Sequence, residues 1–161
     1  MREKIIDTAI ESLRTEGLKF SVDTIASKLK ISKKTIYKLF PSKEALAYAI
    51  YEEYYSRALA NVKKIENEGN NTEIRLLLIY QDASHMIRSE IFNKYKLNDS
   101  IYSVVMRLQN DLWSKIFSVI APSKSQTEEK VLRSIIEGAF EKAADYNAPT
   151  DIIVEKLVNI L

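Results

Sequence analysis

The sequence predicts an all-α protein. Ala, Leu, Ile, Lys and Glu dominate its 161 residues, whereas Gly and Pro, which interrupt helices, occur three times each. Apolar residues recur at spacings of three and four along most of the chain, which is the period of one face of an α-helix. Hydrophobic residues make up 46% of the chain, enough for a substantial core.

The first predicted helix covers residues 2–16 and ends before Gly17, a residue able to adopt the positive φ that often follows a helix. Its apolar residues fall on one face, as packing against a core requires. These residues are Ile5, Ile6, Ala9, Ile10 and Leu13.

Two shorter helices follow, each preceded by a serine whose oxygen can accept a free N–H of the first turn. Ser21 is placed to cap a helix that runs to about Leu29. Ser32 is placed to cap a helix that runs to about Phe40. The residues expected to face inward are Val22, Ile25, Ala26, Leu29, Ile36, Leu39 and Phe40.

Further helices complete the predicted fold. They cover residues 43–67, 73–89, 101–120, 125–146 and 150–161. Gly and Asn residues interrupt the chain at 68–72. Ser125 and Glu128 have the spacing of a capping box, and Thr150 is expected to cap the last helix.

Positive charge is concentrated at the N-terminal end. Residues 1–43 contain 10 Lys/Arg and 5 Asp/Glu, whereas residues 44–161 contain 14 and 17, and the whole chain has a net charge of +2. Six lysines occur from Lys28 to Lys43 without an acidic residue between them. This distribution predicts an anionic partner for the N-terminal end.

Several function classes lack the residues that they need. The chain has no Cys, one His, no Gly-rich phosphate loop and no metal-ligand spacing, so we expect no enzyme activity, no bound metal and no cofactor. The glutamate pairs at 52–53 and 128–129 fit a solvated helix surface. No apolar run reaches the length of a membrane span, and we expect a soluble cytoplasmic protein without a membrane partner.

The segment 21–44 predicts a helix-turn-helix, whose second helix can enter the major groove of double-stranded DNA. Lys30 and Ile31 form the tight turn between the two helices. Lysines and hydroxyls, the usual partners of DNA phosphates, follow on the exposed side of the second helix. The predicted DNA-binding residues are Ser21, Lys33, Lys34, Thr35, Tyr37, Lys38, Ser42 and Lys43.

Lys43 is the sharpest single indication of a phosphate partner. It stands in the first turn of the long helix, where the helix dipole opposes a cation by about 0.3–1 kcal/mol. A phosphate at the same helix end would remove this cost, because free N–H groups there already favour anions, and Ser42 would add a hydroxyl. A solvated basic surface is the alternative for any run of lysines. The coincidence of these lysines with the turn and the caps favours DNA.

The same segment resembles the tetracycline-repressor (TetR) family of bacterial transcription regulators. The resemblance covers about residues 2–50 in detail and the rest of the chain in helix layout alone. It implies a DNA-binding domain at 1–44 and an effector-binding and dimerisation domain at 45–161. The matching landmarks are Gly17, Ser21, Ile25, Ala26, Ile31, Ser32, Thr35, Ile36, Tyr37, Phe40, Lys43 and Glu44.

The resemblance implies a role for each matched position of the DNA-reading segment. Ser21 would bond a phosphate from the start of its helix, and Tyr37 and Lys43 would clamp backbone phosphates. Lys33, Lys34 and Thr35 would face bases and nearby phosphates. The pair Lys33–Lys34 replaces the small or Gly-containing pair common in the family, so we expect a different base readout.

Specific DNA readers of this kind usually dimerise on a palindromic operator, and the last two predicted helices carry apolar stripes suited to a homodimer. The resemblance implies a bundle of two such helices from each subunit. Stripes that face only the subunit's own core are the alternative. The predicted interface residues are Val131, Ile135, Gly138, Ala139, Lys142, Ile153, Val154, Leu157, Val158 and Leu161.

The resemblance also implies a cavity for a small hydrophobic or aromatic effector. The candidates are polar or aromatic residues that interrupt apolar helix faces, although aromatic residues at helical spacing are more often part of the core. These candidates are Gln81, His85, Phe92, Tyr95, Tyr102, Met106, Gln109 and Trp113.

The expected function is that of a dimeric repressor that leaves its operator when an effector binds and shifts the long helix at 43–67. The alternative is a DNA-binding regulator of the same fold that responds to a protein partner or has no effector pocket.

Overall fold

A computed structural model of the protein describes residues 1–16, 21–87 and 99–161. These ranges contain eight helices and no strand, which confirms the predicted all-α fold. Gly17, predicted to follow the first helix, lies outside the described residues. The helices are α1 (Arg2–Glu16), α2 (Val22–Leu29), α3 (Lys33–Leu39), α4 (Lys43–Glu68), α5 (Thr72–Met86), α6 (Asp99–Ile120), α7 (Gln126–Asp145) and α8 (Thr150–Val158).

The last helix starts and ends differently from the prediction. Pro149 is the N-cap of α8 and supplies no side-chain hydrogen bond, so the prediction that Thr150 caps this helix is wrong. Thr150 is instead the first helical residue, because the proline holds an extended backbone with ψ of 119° immediately before it. The helix also ends at Val158, with Asn159 as C-cap, rather than at Leu161.

The described chain divides into two compact units. The first contains Met1–Arg57 and His85–Leu108, and the second contains Ala58–Ser84 and Gln109–Leu161. Helices α4, α5 and α6 therefore each contribute residues to both units. The functional boundary predicted after residue 44 concerns the roles of the two parts and stays a prediction.

The core of the first unit follows the predicted helix faces. All five predicted inward residues of α1 are buried, and Ile36 and Phe40 are buried as well. Leu39 was expected inward, but 41% of it is exposed, so that expectation is wrong. Leu39 is the last residue of the seven-residue helix α3, and the chain leaves the helix at Phe40, whose extended φ of −132° and ψ of 97° accompany burial of the Phe40 side chain in its place.

The second unit contains a polar cluster beside its core. Tyr80 is fully buried and donates its hydroxyl hydrogen to the Glu137 carboxylate. Arg133 donates Nε–H to Glu137 at 2.8 Å and to the Tyr80 oxygen at 3.2 Å, and its other nitrogen reaches the Asn110 amide oxygen at 2.8 Å. Burial, followed by the bond to Glu137, raises the pKa of Tyr80, so this hydroxyl stays protonated at neutral pH.

Neither a membrane-spanning helix nor a metal cluster is present in the part of the chain that the structure describes. No helix there is long and apolar enough to cross a bilayer. No group of three or more His, Asp or Glu side chains there is placed to hold a metal ion.

Candidate nucleic-acid interface

Helix α2 begins at a serine cap, as predicted. Ser21 has extended backbone angles, and its Oγ accepts the backbone N–H of Thr24 at 3.1 Å. The same oxygen lies 2.9 Å from the Thr24 hydroxyl. Ser21 is half-buried. Its hydroxyl group lies at the N-terminal end of α2, where free backbone N–H groups favour an anion.

The turn between α2 and α3 depends on a left-handed residue. Lys30 has φ of 53° and ψ of 42°, and its N–H bonds to the Ser27 carbonyl at 3.2 Å. The N–H of Ile31 bonds to the Ala26 carbonyl at 3.0 Å, which satisfies one of the last carbonyls of α2. The chain therefore reverses within three residues and starts α3 directly, which confirms the predicted turn.

Helix α3 is fixed at both ends and exposed along one side. Ser32 caps it by accepting the Thr35 N–H at 3.1 Å, and the two hydroxyl oxygens lie 3.0 Å apart. Ile36 is completely buried where α3 packs on α2, a burial worth about 1.5–3 kcal/mol. The residues left exposed on α3 include Lys33, Lys34, Tyr37 and Lys38.

Helix α4 starts at a third serine cap. The Oγ of Ser42 accepts the Ala45 N–H at 3.1 Å, and Lys43, the first residue of the helix, is exposed. The start of α4 therefore combines a capping hydroxyl with the cation that the sequence placed against the helix dipole. Glu44 in the same turn is also exposed.

The lysines of this surface are not equivalent. Lys33 lies 2.9 Å from the Asp23 carboxylate of α2, and this hydrogen bond raises the pKa of Lys33. Among the described residues, no acidic side chain pairs with Lys34, Lys38 or Lys43.

Asp23 was not among the residues predicted from the sequence. It stands ten positions before Lys33, and the structure pairs the two because helix α3 packs on helix α2 after the tight turn. No periodicity within one helix links such a pair. The Asp23–Lys33 pair could have been predicted only from the three-dimensional geometry of a helix-turn-helix.

Eight exposed or half-buried residues form a surface termed the basic face: Ser21, Lys33, Lys34, Thr35, Tyr37, Lys38, Ser42 and Lys43. Three helix starts contribute to it, each capped by a serine. Lysines, hydroxyls and free helix N–H groups all stabilise a bound anion, so this face is chemically suited to a row of phosphates. The assignment of each residue to a base or a phosphate stays a prediction.

The predicted ligand residues fall into different environments. In the first unit, His85 and Met106 are half-buried, and Tyr102 is 50% exposed. In the second unit, Gln81 is half-buried, and two others are fully buried. Those two are Gln109 and Trp113. Phe92 and Tyr95 lie outside the described residues.

Both buried candidates have polar partners within the second unit. The amide nitrogen of Gln109 lies 3.3 Å from the Ser84 hydroxyl, and Trp113 donates its indole N–H to Glu129 at 3.0 Å. The Trp113 ring also packs at 4.9 Å, between centroids, on Tyr80. These bonds give the two residues a role in the core, and a ligand site stays a prediction.

The predicted dimer residues divide between an exposed set and a buried set. On α7, Val131 and Ile135 are 53% and 47% exposed. On α8, Val154 and Leu157 are buried in the chain's own core. The central part of the apolar stripe of α8 therefore packs against the chain's own core. The remaining residues are exposed or half-buried: Gly138, Ala139, Lys142, Ile153, Val158 and Leu161.

The N-terminal part of the chain is similar to known bacterial regulatory proteins. Residues 5–50 match the model of the N-terminal domain of the tetR family of bacterial regulatory proteins. YuxN of Bacillus subtilis (strain 168), an uncharacterized HTH-type transcriptional regulator, is 37% identical over 75 residues. That match covers 44% of this chain and 26% of YuxN, so the chain spans about a quarter of that relative's length.

Solved structures extend the likeness of fold over the whole chain. NemR of E. coli, in its reduced form, is 16% identical with a TM-score of 0.71, over 98% of this chain and 93% of NemR. LfrR of Mycobacterium smegmatis, in complex with proflavine, is 15% identical with a TM-score of 0.62, over 98% of this chain and 91% of LfrR. Residues 5–50 therefore match the N-terminal domain of the tetR family, and these solved structures show a similar fold over nearly the whole chain.

Proposed function

We propose that this protein is a sequence-specific DNA-binding transcriptional regulator. The observation that carries the proposal is the basic face, where three serine-capped helix starts and exposed lysines meet without an acidic partner at Lys34, Lys38 or Lys43 among the described residues. Lys43 at the start of α4 is unfavourable for its own helix and favourable for a bound phosphate.

DNA binding is tested by its dependence on salt. Each lysine–phosphate contact releases counterions, so the logarithm of the binding constant falls with the logarithm of salt concentration by about 0.9 per contact. Changing Lys34, Lys38 and Lys43, which have no acidic partner among the described residues, together to Ala is expected to flatten this slope by about 2–3 and to abolish binding to genomic fragments at about 150 mM salt.

A matched variant separates these contacts from net charge. Lys63, Lys130 and Lys156 are exposed lysines outside the basic face, and changing all three to Ala removes the same charge. This control is expected to keep most of the wild-type affinity and slope. Binding that survives in the basic-face variant but falls in the control would refute the proposed interface.

We further propose that the protein acts as a homodimer on a palindromic operator. The support is the exposed apolar surface of α7, where Val131 and Ile135 lie four residues apart with about half of each side chain exposed. Monomers rarely leave adjacent large apolar side chains uncovered, and such patches mark interfaces. The DNA-binding domains of two subunits related by a two-fold axis would fit an operator whose half-sites are a whole number of DNA helical turns apart.

Repression relieved by a small hydrophobic or aromatic effector is the mode of action that we propose. LfrR, a relative in fold, is described in complex with proflavine, an aromatic compound. An effector lowers operator affinity only when it binds better to the state with lower affinity for DNA. Helix α4 contains the Lys43 end of the basic face and continues to Glu68, so it is the element proposed to respond.

The effector proposal is tested with proflavine as the first probe. Its fluorescence is expected to change on titration with the protein, and its addition is expected to release a bound genomic fragment. The alternative, a regulator without an effector pocket or one that responds to a protein partner, has its own support in the polar partners of Gln109 and Trp113. Intact DNA binding with no response to a panel of aromatic compounds would favour that alternative.

A further inference from the structure

The ion pair between Asp23 and Lys33 places an anion inside the basic face. Its Nζ–Oδ1 distance is 2.9 Å, and both side chains are largely exposed, at 56% for Lys33 and 72% for Asp23. The pair therefore forms where DNA phosphates are proposed to bind. Lys34 on the same helix has no such partner among the described residues.

Asp23 is well placed on its own helix. It stands in the first turn of α2, where the helix dipole favours a carboxylate. It also lies two residues after Ser21, a predicted phosphate anchor at the same helix end. A carboxylate at this position repels a phosphate that approaches either Ser21 or Lys33.

We propose that Asp23 is an internal competitor of DNA for Lys33 and keeps Lys33 from bonding phosphates of arbitrary sequence. This inference rests on the proposed DNA-binding function. A bound duplex must either displace the Asp23 carboxylate from Lys33 or bind without a contact to Lys33. The restraint acts equally on every sequence, so it lowers non-specific binding while base contacts elsewhere on α3 retain their full effect.

The test compares wild type, Asp23→Asn, Lys33→Ala and the double variant on a random-sequence duplex at low salt. Asp23→Asn is expected to bind this duplex about two- to fivefold more tightly, the effect of one exposed ion pair. Its salt slope is expected to steepen by about 0.9, the value for one added phosphate contact. On a genomic fragment selected for tight binding the same proportional gain is expected, because the restraint acts equally on every sequence.

The double variant decides whether the effect passes through Lys33. When Lys33 is already Ala, changing Asp23 to Asn is expected to leave affinity and slope unchanged. A gain of equal size in both backgrounds would overturn the proposal, because it would come from the start of α2 alone. Weaker binding by Asp23→Asn would also overturn it, since Asp23 would then be orienting Lys33 for DNA.

A charge control and a folding control complete the experiment. Glu11→Gln removes one exposed negative charge from α1 and is expected to change affinity far less than Asp23→Asn. If Asp23→Asn loses helix content by circular dichroism, Asp23→Ser removes the same charge with a side chain that suits a first helical turn. Wild-type protein that binds no duplex would contradict the proposed function itself, whereas wild-type binding with an inert Asp23→Asn contradicts only this inference.

Discussion

Single residues of the basic face differ in whether their polar groups are already bonded within the chain. The hydroxyls of Ser21 and Thr35 take part in helix caps, and Lys33 is paired with Asp23. The Tyr37 hydroxyl has no hydrogen-bond partner among the described residues, and 37% of this residue is exposed. A tyrosine hydroxyl free to donate can reach a phosphate without first breaking an internal bond.

Tyr37→Phe is therefore expected to weaken DNA binding about ten- to hundredfold, the loss of one hydrogen bond to a charged group. The loss should be similar for every sequence, because a phosphate contact carries no base information. Binding constants on a selected genomic fragment and on a random duplex measure both points. Tyr146→Phe, at a residue 78% exposed in the second unit, is the control. A change in sequence preference with Tyr37→Phe would show that this tyrosine reads bases.

At the scale of elements, the turn between α2 and α3 includes a strained position. Lys30 has φ of 53°, a conformation that costs a residue with a side chain roughly 1–2 kcal/mol relative to its preferred angles. Lys30→Gly is expected to raise the free energy of unfolding by about 0.5–1 kcal/mol, since part of the gain is offset by the flexibility of glycine in the unfolded chain. Chemical denaturation measures this change.

The matched control for the turn is Lys34→Gly. It replaces the same residue type within α3, where the backbone is helical, and it is expected to lower the free energy of unfolding by about 1 kcal/mol. If Lys30→Gly also lowers the free energy of unfolding, the Lys30 side chain stabilises the folded state by more than its backbone strain destabilises it.

Helix α7 begins with a capping box that gives stability a pH dependence. The Ser125 backbone N–H donates to the Glu128 carboxylate at 2.8 Å, and this bond lowers the pKa of Glu128. The carboxylate form is therefore favoured in the folded state. Its contribution to stability is present at neutral pH and is lost as the pH falls through the folded-state pKa.

Glu128→Gln is expected to be less stable than wild type at pH 7, and the difference should shrink as the pH falls to about 3, because a protonated glutamate resembles glutamine. Denaturation curves across this range measure it. Glu141→Gln, an exposed glutamate of the same helix beyond its first turn, controls for the loss of charge. A difference that stays constant with pH would contradict the role of the Glu128 carboxylate.

At the scale of the whole molecule, the exposed apolar surface of α7 predicts association. Ile135→Asp is expected to weaken the dimer at least tenfold, because a charge at the centre of an apolar interface is left without a partner. Sedimentation at several concentrations measures the dissociation constant. Leu78→Asp, at a residue 37% exposed, is the control and is expected to stay dimeric. A wild-type protein that is monomeric at micromolar concentration would contradict the dimer.

Local patterns in the sequence determined most of the fold. The predicted caps at Ser21 and Ser32 and the capping box at Ser125 are confirmed, since each needs only a donor within three residues. The helix face of α1 is also confirmed, because an apolar period over several turns allows only one side of the helix to face the core. Shorter elements were less certain, as the exposure of Leu39 and the cap at Pro149 illustrate.

The sequence by itself determined the helices, the serine caps, the tight turn and the family resemblance, because hydrogen bonds and apolar periods within one helix involve neighbours in the chain. Only the tertiary structure decided that Val154 and Leu157 belong to the chain's own core while Ile135 stays exposed. It alone paired Asp23 with Lys33. These outcomes depend on contacts between residues far apart in the chain, and no local period specifies which side chains from different helices meet.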